Sequence, residues 1–136
     1  MADIDFGQLS EALNDKADTD LRNVDTTAKA DAVIDYQEPT SANGYTWYRK
    51  YKSGWVEQGG YASVNENSTT TINLPVTMAD TNYTALAQNN SLSTAQDTEN
   101  GVGIQRTSTT QVKLFTHYIN PNTISASWQV SGMAAN

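Results

Sequence analysis

Residues 123–131 read TISASWQVS, and their alternation decides the fold. Ile124, Ala126, Trp128 and Val130 fall on one side of an extended chain, with Ser125, Ser127, Gln129 and Ser131 on the other, because successive strand side chains point to opposite faces. A strand that is apolar on one face only belongs to an antiparallel sheet with a single covered side. Trp128 is thereby expected in the core.

The same composition extends back through the chain. Gln111–Tyr118, Val102–Thr107, Tyr83–Gln88 and Thr70–Val76 are rich in Val, Ile, Thr, Tyr and Leu, and Ile72, Leu74 and Val76 share one face. Turn residues separate these runs at Ala79–Asn82, Ser108–Thr110 and Asn120–Asn122. Further upstream, Tyr45–Tyr51 and Trp55–Gln58 flank Lys52-Ser53-Gly54, which reads as a β-hairpin. About seven short strands result, predicting a mainly β fold, an antiparallel β-sandwich-like domain or open barrel. Gly59-Gly60 and Gly101-Val102-Gly103 read as turn or bulge glycines; neither has the lysine and helix of a phosphate-binding loop. Asn89–Asn100 is the one long polar loop.

The first 38 residues differ in kind. They hold ten Asp or Glu against Lys16, Arg22 and Lys29, whereas residues 39–136 hold five of each sign. Asp5 can cap a short helix over residues 6–17, with Gln8 reaching back and Ile4 packing on Leu9. Phe6, Leu9, Leu13, Ala17, Leu21 and Val24 form a stripe too thin for a globular core, but suited to meeting copies of itself. Residues 22–44 show no lasting period and read as a connector, with Glu38-Pro39 and Ser41–Gly44 supplying turn chemistry. The expected organisation is a shaft or trimerisation segment with linker over 1–44 and a β tip over 45–136.

Function classes narrow by subtraction. Cysteine is absent, which excludes disulfides, thiolate zinc sites and thiol nucleophiles. The formal charge of −7 argues against nucleic acid and anionic membranes, which need clustered Lys and Arg. The acidic N-terminus lacks the basic and apolar stretches of a signal peptide or anchor. His117 is the single histidine, without a nucleophile motif or a His-x-His pair; catalysis through it is disfavoured, as is a metal held by three copies on a threefold axis. The chain is expected to be no enzyme and to need no cofactor. What remains is a surplus of aromatics. Tyr45, Trp47, Tyr48, Tyr51, Trp55 and Tyr61 are more than one half-buried hairpin face can hide. Core packing suits Trp47, Trp55 and Trp128, while other rings are left for an interface or a sugar.

The runs WYRKYKSGWVEQGG (47–60), TTTINLPVTMADTNYTALAQN (69–89) and ISASWQVSGMAAN (124–136) together resemble the C-terminal domain of bacteriophage tail fibres of the gp53-like type. LNDKADTDLRNVDTTAKAD (13–31) is similar to segments that precede such domains, so the resemblance covers nearly the whole chain. It implies a homotrimeric tip at the distal end of a virion fibre, made in the host cytoplasm without a signal peptide. Its implied partners are upstream fibre or baseplate proteins and a bacterial cell-surface glycan or lipopolysaccharide. The resemblance brings no catalytic residues. A purely structural trimerisation cap is the alternative; a depolymerase is disfavoured because the long β-helical repeats of such tailspikes are absent.

Strand parity selects a candidate site. If seven strands run up and down, Lys52–Gly54, Ala79–Asn82 and Ser108–Thr110 share one end. A chain entering the domain at Gly44 would put the shaft at the other end. The expected receptor contacts are therefore Tyr51, Lys52, Asp80, Asn82, Tyr83 and Thr109, with polar groups for hydroxyls and tyrosines to stack on a ring.

Overall fold

A computed structural model describes residues 30–90, 101–116 and 123–136. The predicted helix over 6–17, its apolar stripe, His117, the turn at 120–122 and most of the 89–100 loop lie outside the described residues. Eight strands are described: β1 (Val33–Gln37), β2 (Trp47–Tyr51), β3 (Trp55–Asn65), β4 (Thr69–Asn73), β5 (Thr84–Asn89), β6 (Gly103–Arg106), β7 (Gln111–Phe115) and β8 (Thr123–Met133). They form two antiparallel sheets. The larger runs β1-β2-β3-β8-β5 and the smaller β4-β7-β6. This is the sandwich-like, mainly β architecture expected from the alternation.

The centre of the larger sheet is the β3–β8 pair, eleven residues long on each strand, in unbroken register from Trp55 opposite Met133 to Asn65 opposite Thr123. Along β8, Ile124, Ala126, Trp128 and Val130 are buried while their serine and glutamine neighbours are not. Trp128 is 4% exposed, as the alternation predicts. From β3, Val56, Gln58 and Val64 face the same way, meeting Ile72, Leu74, Val112, Leu114 and Ile104 of the smaller sheet and its flank. Each large apolar side chain buried here contributes about 1.5–3 kcal/mol.

A buried amide fastens the β4–β5 connection to this core. Gln58 is fully buried. Its Nε2 donates to the Val76 carbonyl at 2.9 Å, its Oε1 accepts from the Val76 N–H at 2.9 Å, and Nε2 also lies 3.1 Å from Met78 Sδ. The side chain thus reads one residue's backbone in both directions, which satisfies groups that would otherwise be orphaned beneath the sheet.

Two sequence expectations are corrected. Gly59 and Gly60 form no turn; they sit in the middle of β3. A Cβ on Gly59 would lie 2.6 Å from the Trp128 carbonyl and 2.9 Å from the Trp47 indole, and one on Gly60 would lie 3.2 Å from the Trp128 ring. The glycines make room for two tryptophans on opposite faces of one strand. Gly103 likewise lies within β6, under the Phe115 ring of β7. The second correction is β1, which pairs with β2 although it lies in the stretch read as connector, so the β fold begins at Val33, before Gly44.

That extra strand sets the direction in which the chain arrives. Lys52 N–H bonds to Ala32 O at 2.8 Å, and Ser53 bonds through N–H and Oγ to the Asp31 carboxylate at 2.8 and 2.7 Å. At the same end Ala134 N–H meets Gly54 O, Ala79 N–H meets Met133 O and Met78 N–H meets Thr109 O, each at 2.8 Å. Residues 30–32 therefore lie beside the turns 52–54, 77–79 and 108–110. The expectation that the chain enters at the opposite end, by Gly44, is corrected.

Candidate functional site

The three turns named from strand parity do share one end, but their side chains are differently employed. Tyr51, half-buried at the end of β2, donates its hydroxyl to Glu57 Oε2 at 3.3 Å. Burial and then the Glu57 carboxylate push its phenol pKa up. Asp80 Oδ1 accepts from Asn82 N–H at 2.7 Å, an Asx turn that fixes an exposed loop. Thr109 supplies its carbonyl to Met78, and Lys52 sits in the β2–β3 turn. Tyr83 is corrected as a stacking residue. It is 4% exposed, and its hydroxyl donates to Ser108 O at 2.7 Å and Gln111 O at 3.3 Å. Its ring closes the core instead, and burial raises its pKa, with Arg106 lowering it in part.

A different surface gathers more binding chemistry. The outer face of the larger sheet, turned away from the core, carries Trp47, Tyr61, Leu86, Gln88, Ser127 and Gln129 around a groove of about 300 Å³. Register explains the grouping. Trp47 is opposite Gly59, Gly59 opposite Gln129 and Gln129 opposite Leu86, giving one row across four strands. Tyr61, Ser127 and Gln88 form the next row. Strand backbone at Gly60, Ala87 and Trp128 floors the groove between the rows.

Its walls are apolar and its remaining groups neutral. Trp47 folds onto the bare backbone of Gly59, so the glycine provides the seat for an aromatic platform. Leu86 is 62% and Tyr61 52% exposed. Beside Tyr61 stands Tyr45, ring centroids 5.6 Å apart and tilted by 34°. The lining includes no Asp, Glu, Lys or Arg. The charged groups of this face are engaged elsewhere: Arg49 bonds to Glu38 Oε1 at 2.7 Å and to the carbonyls of Gln37 and Tyr48, with its guanidinium 5.4 Å from the Tyr36 ring.

From sequence alone Tyr61 is one of a surplus of aromatics, and Trp47 and Trp55 are expected in the core. Trp47 is half-buried on the outer face, and Trp55, opposite Met133, is 40% exposed. The groove left one sequence signal, Thr84-Ala-Leu-Ala-Gln88. Ala85 and Ala87 face inward opposite Val130 and Trp128, which puts the larger Leu86 on the outer face. Among the described residues no cluster of three His, Asp or Glu could hold a metal ion, and no helix is long and apolar enough to cross a membrane.

No protein-family profile matches the chain, and neither does any curated protein sequence. Solved structures do. The C-terminal part of the R2 pyocin fibre of P. aeruginosa aligns with 97% of this chain at a TM-score of 0.59 and 16% identity. A selenomethionine structure of an N-truncated R2-type pyocin tail fibre gives the same three values. The chain spans 36% and 52% of those two chains respectively. The sandwich thus shares its fold with part of those two pyocin fibres.

Proposed function

We propose that this chain is the receptor-binding tip of a phage or phage-like tail fibre, of the gp53-like kind, adsorbing to a polysaccharide on a bacterial surface. The observation that carries the reading is the open sheet face. A tail-fibre-type fold leaves Trp47, Tyr61, Tyr45 and Leu86 partly or largely exposed around neutral amides, where a monomeric soluble domain would be expected to cover such a surface. In this reading the module is a homotrimer at the distal end of the fibre, joined through its N-terminal segment to upstream fibre or baseplate proteins. It carries out no reaction, and its product is attachment. Because residues 30–32 lie at the end that holds Lys52, Asp80, Asn82 and Thr109, the shaft leaves from that end, and the sheet flank and far end are the surfaces open to the host.

The test is adsorption. Full-length protein is mixed with panels of whole bacteria and with the same cells stripped of surface polysaccharide. Binding to a subset of strains that disappears on stripping is expected, and absence of binding to every strain would refute the proposal. A second reading, a structural cap without its own receptor site, is favoured by the exposed Val33, Ile34 and Tyr36 of β1, an edge strand that a neighbouring chain could cover. It predicts trimer without adsorption.

A further inference from the structure

We infer that the groove between Trp47 and Leu86 is a binding site for an uncharged sugar unit, held by stacking on the aromatic wall and by hydrogen bonds to Gln88, Ser127 and Gln129. The inference rests on the receptor-binding reading and names the site and the ligand class within it.

Three observations converge. The first is the state of the polar groups. Several polar side chains of the domain pair with a neighbour, as in Tyr48 with Asp35, Tyr51 with Glu57 and Gln111 with Asn73. The side chains of Gln88, Ser127 and Gln129 have no hydrogen-bond partner among the described residues, and they border one groove. Two primary amides and a hydroxyl are donors and acceptors at once, which suits a ring of hydroxyls.

The second is charge. A groove without an ionisable group apart from the Tyr61 phenol offers no counter-ion to an acidic or cationic ligand. A pyranose has an apolar C–H face and a polar rim. The Trp47 ring beside the amides of Gln88 and Gln129 presents the matching pair of surfaces. The groove volume of about 300 Å³ is at the small end of ligand sites, which suits one sugar unit with its neighbours running out along the sheet.

The third is strain. Tyr45 has φ +59° directly after Gly44 at φ +67°. A tyrosine in the left-handed region is uncommon and costs about 1–3 kcal/mol. The surrounding turn enforces it: Thr40 and Asn43 cap each other, Tyr45 N–H bonds to Thr40 O at 2.8 Å, and Gly44 ends the short 3-10 turn Ser41–Asn43. The consequence is an exposed ring held against Tyr61 at the border of the groove. Asparagine would suit that backbone better, so the tyrosine is explained by its ring.

The experiment uses the full chain and a glycan array of neutral oligosaccharides (hexoses, deoxyhexoses, N-acetylhexosamines) alongside uronic-acid and sialic-acid ones. Neutral hits are expected. Gln129→Ala and Leu86→Glu are each expected to weaken the best hit by about tenfold or more. Tyr45→Asn is expected to weaken it while keeping or raising the melting temperature, an outcome that a structural role for the ring would not give. The pair Asp80→Ala and Asn82→Ala should leave affinity unchanged. Groove variants that bind as the unaltered protein does, with loss only in the Asp80 and Asn82 variants, would overturn the groove while leaving the receptor-binding reading intact. Hits confined to acidic glycans would overturn the ligand class. A groove variant that changes the oligomer mass in light scattering would make the groove a contact between copies, overturning the inference. Failure of the unaltered protein to bind any glycan or any cell would remove both readings.

Discussion

Replacing Gln58 with leucine keeps most of the side-chain volume and removes both halves of an amide that holds Val76. The Val76 N–H and C=O, each bonded to Gln58 at 2.9 Å, then lose their partners beneath the sheet. Leaving a buried donor or acceptor unmet costs about 1–3 kcal/mol each, and the better transfer of leucine returns about 1.5–3 kcal/mol. The net expectation is a loss of about 2 kcal/mol, which for a domain of this size lowers the melting temperature by about 8–16 °C. Differential scanning calorimetry reads the shift directly. Gln58→Glu adds a control for mechanism. Protonated, its hydroxyl can stand where the amide N–H points at Val76 O; ionised, it sets a buried negative charge against that carbonyl. The folded-state pKa is therefore raised above the unfolded value of about 4.3. The stability of this variant is complete below that pH and lost as pH rises through the folded value. A leucine variant as stable as the parent, or a glutamate variant equally stable at pH 4 and pH 7, would refute the clamp.

Trp128→Ala empties a site 4% exposed and is expected to cost about 3–5 kcal/mol in urea unfolding, with any loss of adsorption following the loss of fold. Gly59→Ala drives a methyl towards the Trp128 carbonyl at 2.6 Å and the Trp47 indole at 2.9 Å; a cost of about 1–3 kcal/mol and a red shift of tryptophan emission should appear together as Trp47 leaves its seat. Tyr83→Phe removes the bonds to Ser108 O and Gln111 O and should cost about 0.5–1.5 kcal/mol at pH 7. Because burial raises the Tyr83 pKa, its contribution is full below about pH 10 and lost above it, so the two proteins should converge in alkaline melts. Removing residues 1–38 takes β1, none of whose residues is buried, along with the predicted shaft; gel filtration with light scattering should show about 44 kDa, three chains, falling toward one, while the β circular dichroism persists.

Much of both sheets was legible because burial imposes a period of two wherever a strand has one covered face. Residues 124–131 and 70–76 show it plainly, and Lys52-Ser53-Gly54 marks its hairpin, with Gly54 at φ +93°. β1 was illegible for the complementary reason. VIDYQ lies at a sheet edge with four of its five residues exposed and the fifth half-buried, so no alternation is selected, and the adjacent Val33 and Ile34 mimic a loop with stray apolar residues. Gly59-Gly60 misled because glycine is turn chemistry locally, whereas its reason here is tertiary: two tryptophans from β2 and β8 approach the same strand from opposite sides.

The candidate site followed the same division between relations that survive a missed strand and those that do not. Whether two turns share an end depends only on the strands between them, and from Lys52 onward the sequence shows as many strand runs as the fold has strands. Where the chain arrives depends on every strand before the first turn. One unseen edge strand therefore reversed the arrival, bringing Asp31 to Ser53 at the end expected to lie away from the incoming chain. The groove was legible only across strands. Trp47, Gln129 and Leu86 are far apart in sequence and become one row through the registers of three strand pairs. The one local clue was the small-large-small order Ala85-Leu86-Ala87. Once Ala87 is known to face Trp128, the exposed leucine between the alanines follows, and with it the apolar rim of the groove.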